Sequence, residues 1–184
     1  MFRKLSVILV IAPLAFTAAC SSSSSSTNAA AATGAAVSAA AAATPSACPT
    51  KNTESFAKTK FVADVAIAGG AFKRYIYTPA KDGKFKKGAN GRVLAFVKAA
   101  AAGALTVNRL EAAKTAAQAN PTLCKLLAEP IAKFSAAVSG LVGKAKGGSL
   151  DASDVDNASS YLTDLHGAAS QGGAAFTDNT GTTA

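Results

Sequence analysis

Apolar side chains recur at spacings of three and four residues in four separate stretches of the chain. This spacing places them on one side of an α-helix, so it predicts four amphipathic helices. The predicted helices cover residues 53–77, 92–119, 121–142 and 152–170. No stretch alternates apolar and polar residues convincingly enough for a strand, and most connections are short. We therefore expect an all-α fold, an antiparallel bundle of about four helices.

The same spacing predicts which side of each helix faces the core. In the first helix the buried residues are expected to be Phe61, Val65, Ala68, Phe72 and Tyr75. In the second helix they are expected to be Val93, Val97, Ala100, Ala104 and Val107, with Leu94, Ala101 and Leu105 beside them. In the third helix they are expected to be Leu123, Leu127, Ile131, Phe134, Val138 and Leu141. In the last helix they are expected to be Val155, Ala158, Leu162, Leu165 and Ala169.

The segment 93–107 is apolar enough to be considered for membrane insertion. It is shorter than the roughly 20 residues that an ordinary transmembrane helix needs, and Lys98 lies near its middle. A core helix is therefore the preferred interpretation of this segment.

Polar and proline residues predict where the helices begin and end. Asn52 or Thr53 is expected to cap the first helix, and Pro79 is expected to stop it. Pro121 suits the first turn of the third helix, where its missing N–H would have no partner in any case. Pro130 lies inside that helix and is expected to bend it or split it.

Glycines and a possible capping residue predict one feature inside the first helix and the start of the last helix. Gly69 and Gly70 interrupt the first apolar stripe, and they either kink the helix or let a neighbouring backbone approach closely. The last helix is expected to be capped by Asp151 or Ser149.

The start of the chain has a different composition. Arg3 and Lys4 precede an uncharged run over residues 5–19, which is typical of an export signal and too short for an ordinary transmembrane helix. The residues directly before Cys20 read Phe16-Thr17-Ala18-Ala19. This segment resembles the lipobox of bacterial surface lipoproteins of the actinobacterial type, with Thr17 where Leu or Val is usual. The resemblance implies a signal peptide over residues 1–19 and an acyl chain such as palmitate on Cys20.

The resemblance also implies where the protein is located. In bacterial lipoproteins the acylated cysteine becomes the mature N-terminus, so we expect an extracytoplasmic protein anchored to the cell membrane through Cys20. Cleavage by a general signal peptidase near the same place would instead release a secreted protein. Residues 20–47 are nearly all Ser, Ala and Thr and are expected to form a disordered, low-complexity tether. The helical domain then covers residues 48–176, and residues 177–184 are expected to be a disordered tail.

The cysteine count predicts one disulfide bond. If Cys20 carries lipid, Cys48 and Cys124 remain as an even pair. Outside the cytoplasm such a pair most often forms a structural bridge. A redox pair is the alternative, although the chain has no Cys-x-x-Cys motif. In an up-down-up-down bundle the starts of the first and third helices lie at the same end, which agrees with a bridge between these cysteines.

Charge is distributed unevenly along the chain. Residues 51–146 hold 17 Lys and Arg against five Asp and Glu, whereas residues 147–184 hold five Asp and no Lys or Arg. The basic residues concentrate around one loop and include a flanked aromatic residue. This basic cluster consists of Lys73, Arg74, Lys81, Lys84, Phe85, Lys86, Lys87 and Arg92.

The basic cluster is the candidate binding site. Basic residues around an exposed aromatic ring suit an anionic lipid surface or an anionic wall polymer, and nucleic acid is a less favoured partner. The alternative is a lysine-rich loop that is only solvated, with Phe85 tucked into the core.

Catalytic and metal sites find little support in the sequence. His166 is the only histidine, and Ser160 and Asp164 on the same helix face cannot supply triad geometry. Asp151, which lies near two further aspartates, does not begin a calcium-loop pattern. We expect no metal and no cofactor.

These features predict a non-enzymatic, lipid-anchored envelope protein whose helical domain binds a partner protein or an anionic envelope component. The alternatives are a carrier of a small apolar ligand and an accessory subunit of an envelope enzyme. The oligomeric state stays open.

Overall fold

The computed structural model describes residues 48–179. The signal peptide, Cys20 and the tether expected for residues 1–47 lie outside the described residues. Within residues 48–179 the chain forms helices and no strands, which confirms the all-α prediction. In chain order the elements are α1 (Ala57–Phe72), a π-helical turn (Lys73–Tyr77), α2 (Thr78–Lys81), α3 (Arg92–Gln118), α4 (Pro121–Lys146) and α5 (Ala152–Gln171).

The first helix runs past the proline that was expected to stop it. Lys73 and Thr78 both keep right-handed helical dihedrals, so α1, the π-helical turn and α2 form one continuous rod. Pro79 stands in the first turn of α2, directly after the π-helical turn. The wider π-helical turn gives the proline ring room beside the preceding carbonyls, and a proline has no N–H for an interior bond in any case. The prediction that Pro79 ends the helix is therefore wrong.

The predicted cap of the first helix is also wrong. Phe56 occupies the cap position with a left-handed backbone, φ 60°, and without a side-chain cap bond. Thr53 instead donates its N–H to the carbonyl of Ala119 at 3.0 Å. Asn52 accepts a bond of 2.8 Å from the Asn120 side chain. Both residues therefore tie the start of the domain to the junction between α3 and α4.

The start of α4 matches its prediction and the interior does not. The Asn120 side chain accepts bonds of 3.0 Å from the N–H groups of Thr122 and Leu123, with Pro121 in the first turn as expected. Pro130 was expected to bend or split the helix, but α4 continues unbroken to Lys146. Buried side chains on either side of the proline hold the helix in the bundle, and such packing supplies most helix stability in proteins.

Asp151 caps α5, and Ser149 does not. The Asp151 carboxylate accepts bonds from the Ser153 hydroxyl at 2.7 Å and the Asp154 N–H at 3.1 Å. These two hydrogen bonds hold the pKa of Asp151 below its ordinary value.

The buried faces of α1, α4 and α5 follow the predicted stripes, with one exception. Tyr75 lies partly exposed, and Ile76 is buried in its place. Both residues lie inside the π-helical turn, whose larger number of residues per turn places Ile76 rather than Tyr75 in line with Phe72.

The buried face of α3 differs from the prediction. Val93, Val97 and Ala104 are exposed, and the helix buries a set of mostly small residues instead. That set is Phe96, Ala99, Ala102, Gly103, Thr106, Leu110, Ala113, Ala116 and Ala117. Close packing selects this face: a Cβ on Gly103 would lie 2.4 Å from a methyl group of Val142 on α4. Small residues let the backbones approach, whereas the larger valines would hold them apart.

The helices close into a bundle with one continuous core. α3 packs against α1 and α4, and α4 packs against α5, which also contacts the π-helical turn. Large side chains fill the middle, and the rings of Phe72 and Phe134 meet edge to face at 5.4 Å. The residues of this core lie between Phe61 and Phe176. A chain from Cys48 to Ala184 therefore contains every element that builds this core.

A disulfide bond joins Cys48 to Cys124, with a Cα–Cα distance of 5.7 Å, as the sequence predicts. It ties the segment before α1 to the first turn of α4. This end of the bundle also holds the hydrogen bonds of Thr53 and Asn52 described above.

After α5 the chain returns across α1. The Phe176 ring packs edge-on against Phe61 at 6.4 Å and stacks on His166 at 3.9 Å. Asn179 donates its N–H to the carbonyl of Ala66 at 2.9 Å. The tail was expected to be disordered from Thr177, and this is wrong for residues 177–179.

The glycine pair in α1 makes room for this returning segment. A Cβ on Gly69 would lie 2.0 Å from the Asp178 carboxylate, and one on Gly70 would lie 1.7 Å from the carbonyl oxygen of Asn179. Of the two roles predicted for this glycine pair, close approach of a neighbouring backbone is therefore the one observed.

Candidate functional site

The aromatic member of the basic cluster belongs to the core. Phe85 is only 6% exposed, and its ring lies 5.1 Å from the ring of Phe96 on α3. The interpretation of Phe85 as an exposed ring between lysines is wrong, because its ring is buried in the core. Phe85 therefore anchors the loop from inside and is removed from the candidate binding residues.

Arg92 also has a structural role. Its Nε donates to the carbonyl of Phe85 at 2.9 Å, and a terminal nitrogen donates to the carbonyl of Gly148 at 2.7 Å. The guanidinium group lies 4.6 Å from the centre of the Phe96 ring. Arg92 thus joins the basic loop to the turn between α4 and α5 through two of its N–H groups.

Lys73 and Lys81, on the first helical rod, are also engaged within the fold. Lys73 forms an ion pair with Asp178, whose side chain is buried and also lies 3.0 Å from His166. Lys81 pairs with Asp156 at 2.6 Å, and this hydrogen bond raises the pKa of the lysine above its ordinary value. These two lysines attach the tail and α5 to the rod.

Arg74 is exposed and lies over the ring of its neighbour Tyr75, at 5.4 Å from the ring centre. This contact leaves Arg74 at the edge of the surface that the loop lysines share.

Three lysines of the basic cluster remain available for an external partner. Lys84, Lys86 and Lys87 are exposed, and within residues 48–179 no ion pair is found for any of them. The loop that carries them is ordered by backbone hydrogen bonds, from Lys84 N–H to the Pro79 carbonyl at 2.9 Å and from Lys86 N–H to the Gly83 carbonyl at 3.1 Å. These lysines are therefore presented from a fixed loop.

An exposed apolar face lies next to this loop on α3. Val93, Leu94 and Val97 are 77%, 57% and 60% exposed, and Leu105 continues the same side of the helix two turns further on. Tyr75, on the neighbouring rod, is also exposed. We call Tyr75, Val93, Leu94, Val97 and Leu105 the exposed apolar face.

Sequence reasoning missed this face because it assigned the same valines and leucines to the core. The available signal was that α3 carries apolar residues around most of its circumference, which leaves one side to spare once the other is buried.

Shallow hollows bring the lysines and the apolar residues onto one surface. One hollow is lined by Tyr75, Pro79, Lys84, Leu94 and Lys98. A second is lined by Tyr75, Lys98 and Leu105, and a third, on the other flank, by Val93, Val97 and Lys146. The sequence contains no Asp or Glu from residue 83 to residue 110. The surface is therefore apolar along its centre and basic at its rim.

His166 lies in contact with the returning C-terminal segment. Its ring is half-buried between Phe176 and Asp178, while the Ser160 hydroxyl donates to the carbonyl of Asn157 at 2.8 Å. His166 therefore helps to hold the returning C-terminal segment on the bundle. Among residues 48–179, no group of three or more His, Cys, Asp or Glu could hold a metal ion.

Two helices pass a length and composition test for membrane spans. α3 and α4 are each long and apolar enough to cross a membrane on these criteria alone. Both helices also contribute to the core described above, and the core helices of soluble proteins often pass the same test.

Comparison of the chain with protein-family models, with curated proteins and with solved structures finds no match.

Proposed function

We propose that this chain is a non-enzymatic envelope protein, attached to the cell membrane by lipid on Cys20, whose helical domain binds an anionic component of the envelope. The observation that carries the proposal is the set of unpaired lysines Lys84, Lys86 and Lys87 beside an acid-free stretch of 28 residues, 83–110. A surface that serves solubility alone usually mixes both signs of charge.

The energetics favour a role outside the fold for these lysines. Exposed ion pairs contribute roughly 0–1 kcal/mol to stability, so the fold gains little from a lysine without a partner. The same lysine near an anionic membrane contributes about 1 kcal/mol to binding. Three to four such residues therefore give weak but useful binding.

A surface that binds weakly is sufficient for a domain that is also attached to the membrane by lipid. Lipid on Cys20 would keep the domain close to the membrane, where a high effective concentration makes a weak second contact useful. Residues 21–47 separate Cys20 from the helical domain in the sequence. Both contributions can then act on the same membrane.

The interior of the bundle favours surface binding over the carrier alternative. Phe72, Phe134 and Ile131 are fully buried at its centre, where an apolar ligand would have to lie. No observation on the described residues favours the accessory-subunit alternative.

The test is co-sedimentation of the chain from Cys48 to Ala184 with vesicles of phosphatidylglycerol in phosphatidylcholine, and with immobilised polyphosphate as an anionic polymer. We expect binding to at least one of them at low salt. Binding should weaken steeply as salt rises, because exposed charges are screened within about 8–10 Å at physiological ionic strength.

A matched pair of charge reversals makes the test specific. Lys84→Glu with Lys87→Glu should abolish the binding, whereas Lys51→Glu with Lys125→Glu, at the other end of the bundle, should change it little. The helical circular-dichroism signal should be unchanged in both variants. Absence of binding at low salt, or equal loss in both variants, contradicts the proposed function.

A further inference from the structure

The exposed apolar face calls for an explanation that the lysines alone do not supply. Val93, Leu94 and Val97 cover adjoining positions on one side of α3, and Tyr75 extends the face onto the neighbouring rod. Single exposed apolar residues are ordinary, but a contiguous group rimmed by polar residues marks an interaction surface.

We infer that the exposed apolar face of α3 inserts into the surface of an anionic lipid bilayer, with α3 lying in the plane of the membrane. The inference rests on the proposed function and names the anionic component as lipid rather than a soluble polymer. A polymer would engage the lysines and leave the apolar side chains in water.

The dimensions of the face fit a membrane interface. From Val93 to Leu105 it extends about 18 Å along the helix, given a rise of 1.5 Å per residue. Interfacial helices lie in the membrane plane with the apolar side buried about 5–10 Å into the boundary between headgroups and acyl chains. Tyr75 suits that depth, because its ring is apolar and its hydroxyl stays hydrated.

The lysines are placed where such a helix needs them. Lys84 and Lys98 line the same hollow as Leu94, and Lys146 lies beside Val93 and Val97 on the other flank. Long lysine side chains can extend from an apolar surface to the headgroup phosphates. Charge thus surrounds the apolar strip on the side facing the membrane.

Binding through this face requires no refolding. The opposite side of α3 is already fixed in the core by Phe96, Thr106 and Leu110, all of which are buried. Most amphipathic segments lose conformational entropy when they fold on a membrane, and a helix that is already folded avoids that loss.

The charges also argue against a second copy of this chain as the occupant. A symmetric dimer through the same face would bring two sets of like-charged lysines together with no Asp or Glu from residues 83–110 to compensate. Like charges in apposition oppose association, whereas anionic lipid headgroups neutralise them.

The experiment places a single environment-sensitive fluorophore at Leu94→Cys in the chain from Cys48 to Ala184. The native cysteines are joined in a disulfide, so the new thiol is the only reactive one. Thr163→Cys on α5, across the bundle from α3, is the control position. We expect vesicles containing phosphatidylglycerol to shift the Leu94 probe to shorter wavelength and nitroxide-labelled lipid to quench it, with neither change at Thr163.

A second set of variants tests the side chains without a label. Leu94→Gln with Val97→Gln should weaken vesicle binding by about tenfold or more, because two buried apolar side chains are lost, and should leave polyphosphate binding unchanged. Phe56→Gln removes another highly exposed apolar side chain, at the far end of the bundle, and should change neither.

The outcomes separate the two proposals. Insertion is overturned if vesicles bind in a salt-sensitive way but the Leu94 probe is not quenched. It is also overturned if the glutamine variant binds vesicles with full affinity. In both cases the proposed function still holds. Absence of binding to both vesicles and polyphosphate contradicts the proposed function itself. Concentration-dependent self-association that the glutamine variant abolishes, without vesicle binding, assigns the face to a second copy and overturns the inference.

Discussion

At the scale of single residues, the fold distinguishes between side chains that the sequence groups together. Lys84 and Arg92 belong to the same run of positive charge, but Arg92 donates to two backbone carbonyls and Lys84 extends into solvent. Sequence reasoning could find the cluster because charge density is visible along the chain. It could not divide the cluster, because the partners of Arg92 include Gly148, which is 56 residues away.

Arg92→Ala should therefore reduce stability rather than binding alone. Hydrogen bonds to charged groups contribute roughly 1.5–3 kcal/mol each, and relaxation of the loop should recover part of this, so we expect a loss of about 2 kcal/mol in the free energy of unfolding. Lys87→Ala should leave the free energy of unfolding unchanged within about 0.5 kcal/mol. Urea denaturation followed by circular dichroism measures both. Equal free energies of unfolding for the two variants would show that the Arg92 contacts contribute nothing measurable to stability.

Glycine gives a second prediction at this scale. Gly70→Ala places a methyl group where the Asn179 carbonyl lies, so we expect a loss of about 1–3 kcal/mol, as in overpacked cores, or release of the tail. Gly140→Ala meets no neighbouring atom in α4 and should stabilise the protein by about 0.5–1 kcal/mol.

Thermal denaturation reports the stability of both glycine variants, and limited proteolysis of the C-terminus reports whether the tail has been released. A Gly70→Ala protein with wild-type stability and a protected tail would refute the packing of residues 177–179 on α1.

At the scale of helices, the sequence predicts where the helices occur better than it predicts which side of each helix is buried. All four long helices occur where the apolar spacing places them, and the stripe of α4 is buried throughout, because large side chains mark that face clearly. The buried face of α3 consists mostly of alanine, with Gly103 and Thr106, so the bulkier exposed face dominated the pattern. The π-helical turn was equally hidden, because no residue type encodes it uniquely.

The disulfide is the element-scale feature that most affects stability. Replacing Cys48 and Cys124 by Ser and Ala should lower the free energy of unfolding by about 2–5 kcal/mol, as for native bridges of small secreted domains. The helical circular-dichroism signal should persist at low temperature, because the core cluster does not depend on the bridge. Denaturation of the oxidised and the reduced wild-type protein provides the control. Two free thiols in freshly isolated protein would contradict the bridge itself.

At the scale of the whole molecule, the two ends of the bundle have different roles. The disulfide end receives the chain from the segment before Cys48, whereas the loop with Lys84, Lys86 and Lys87 lies at the other end of α3. The 27 residues of α3 separate these ends by about 40 Å. A domain lying on its α3 side would bring both ends to the same membrane, as the proposed function requires.

Membrane docking through α3 is tested most directly by carbene footprinting of the chain from Cys48 to Ala184 with a water-soluble diazirine, with and without vesicles containing phosphatidylglycerol. The method samples the whole surface without mutation. We expect labelling to fall at Tyr75, Leu94 and the loop of residues 84–87, and to stay unchanged at Phe56 and on α5. Protection centred on α5 or on the disulfide end, or no protection where vesicles are bound, would contradict docking through α3.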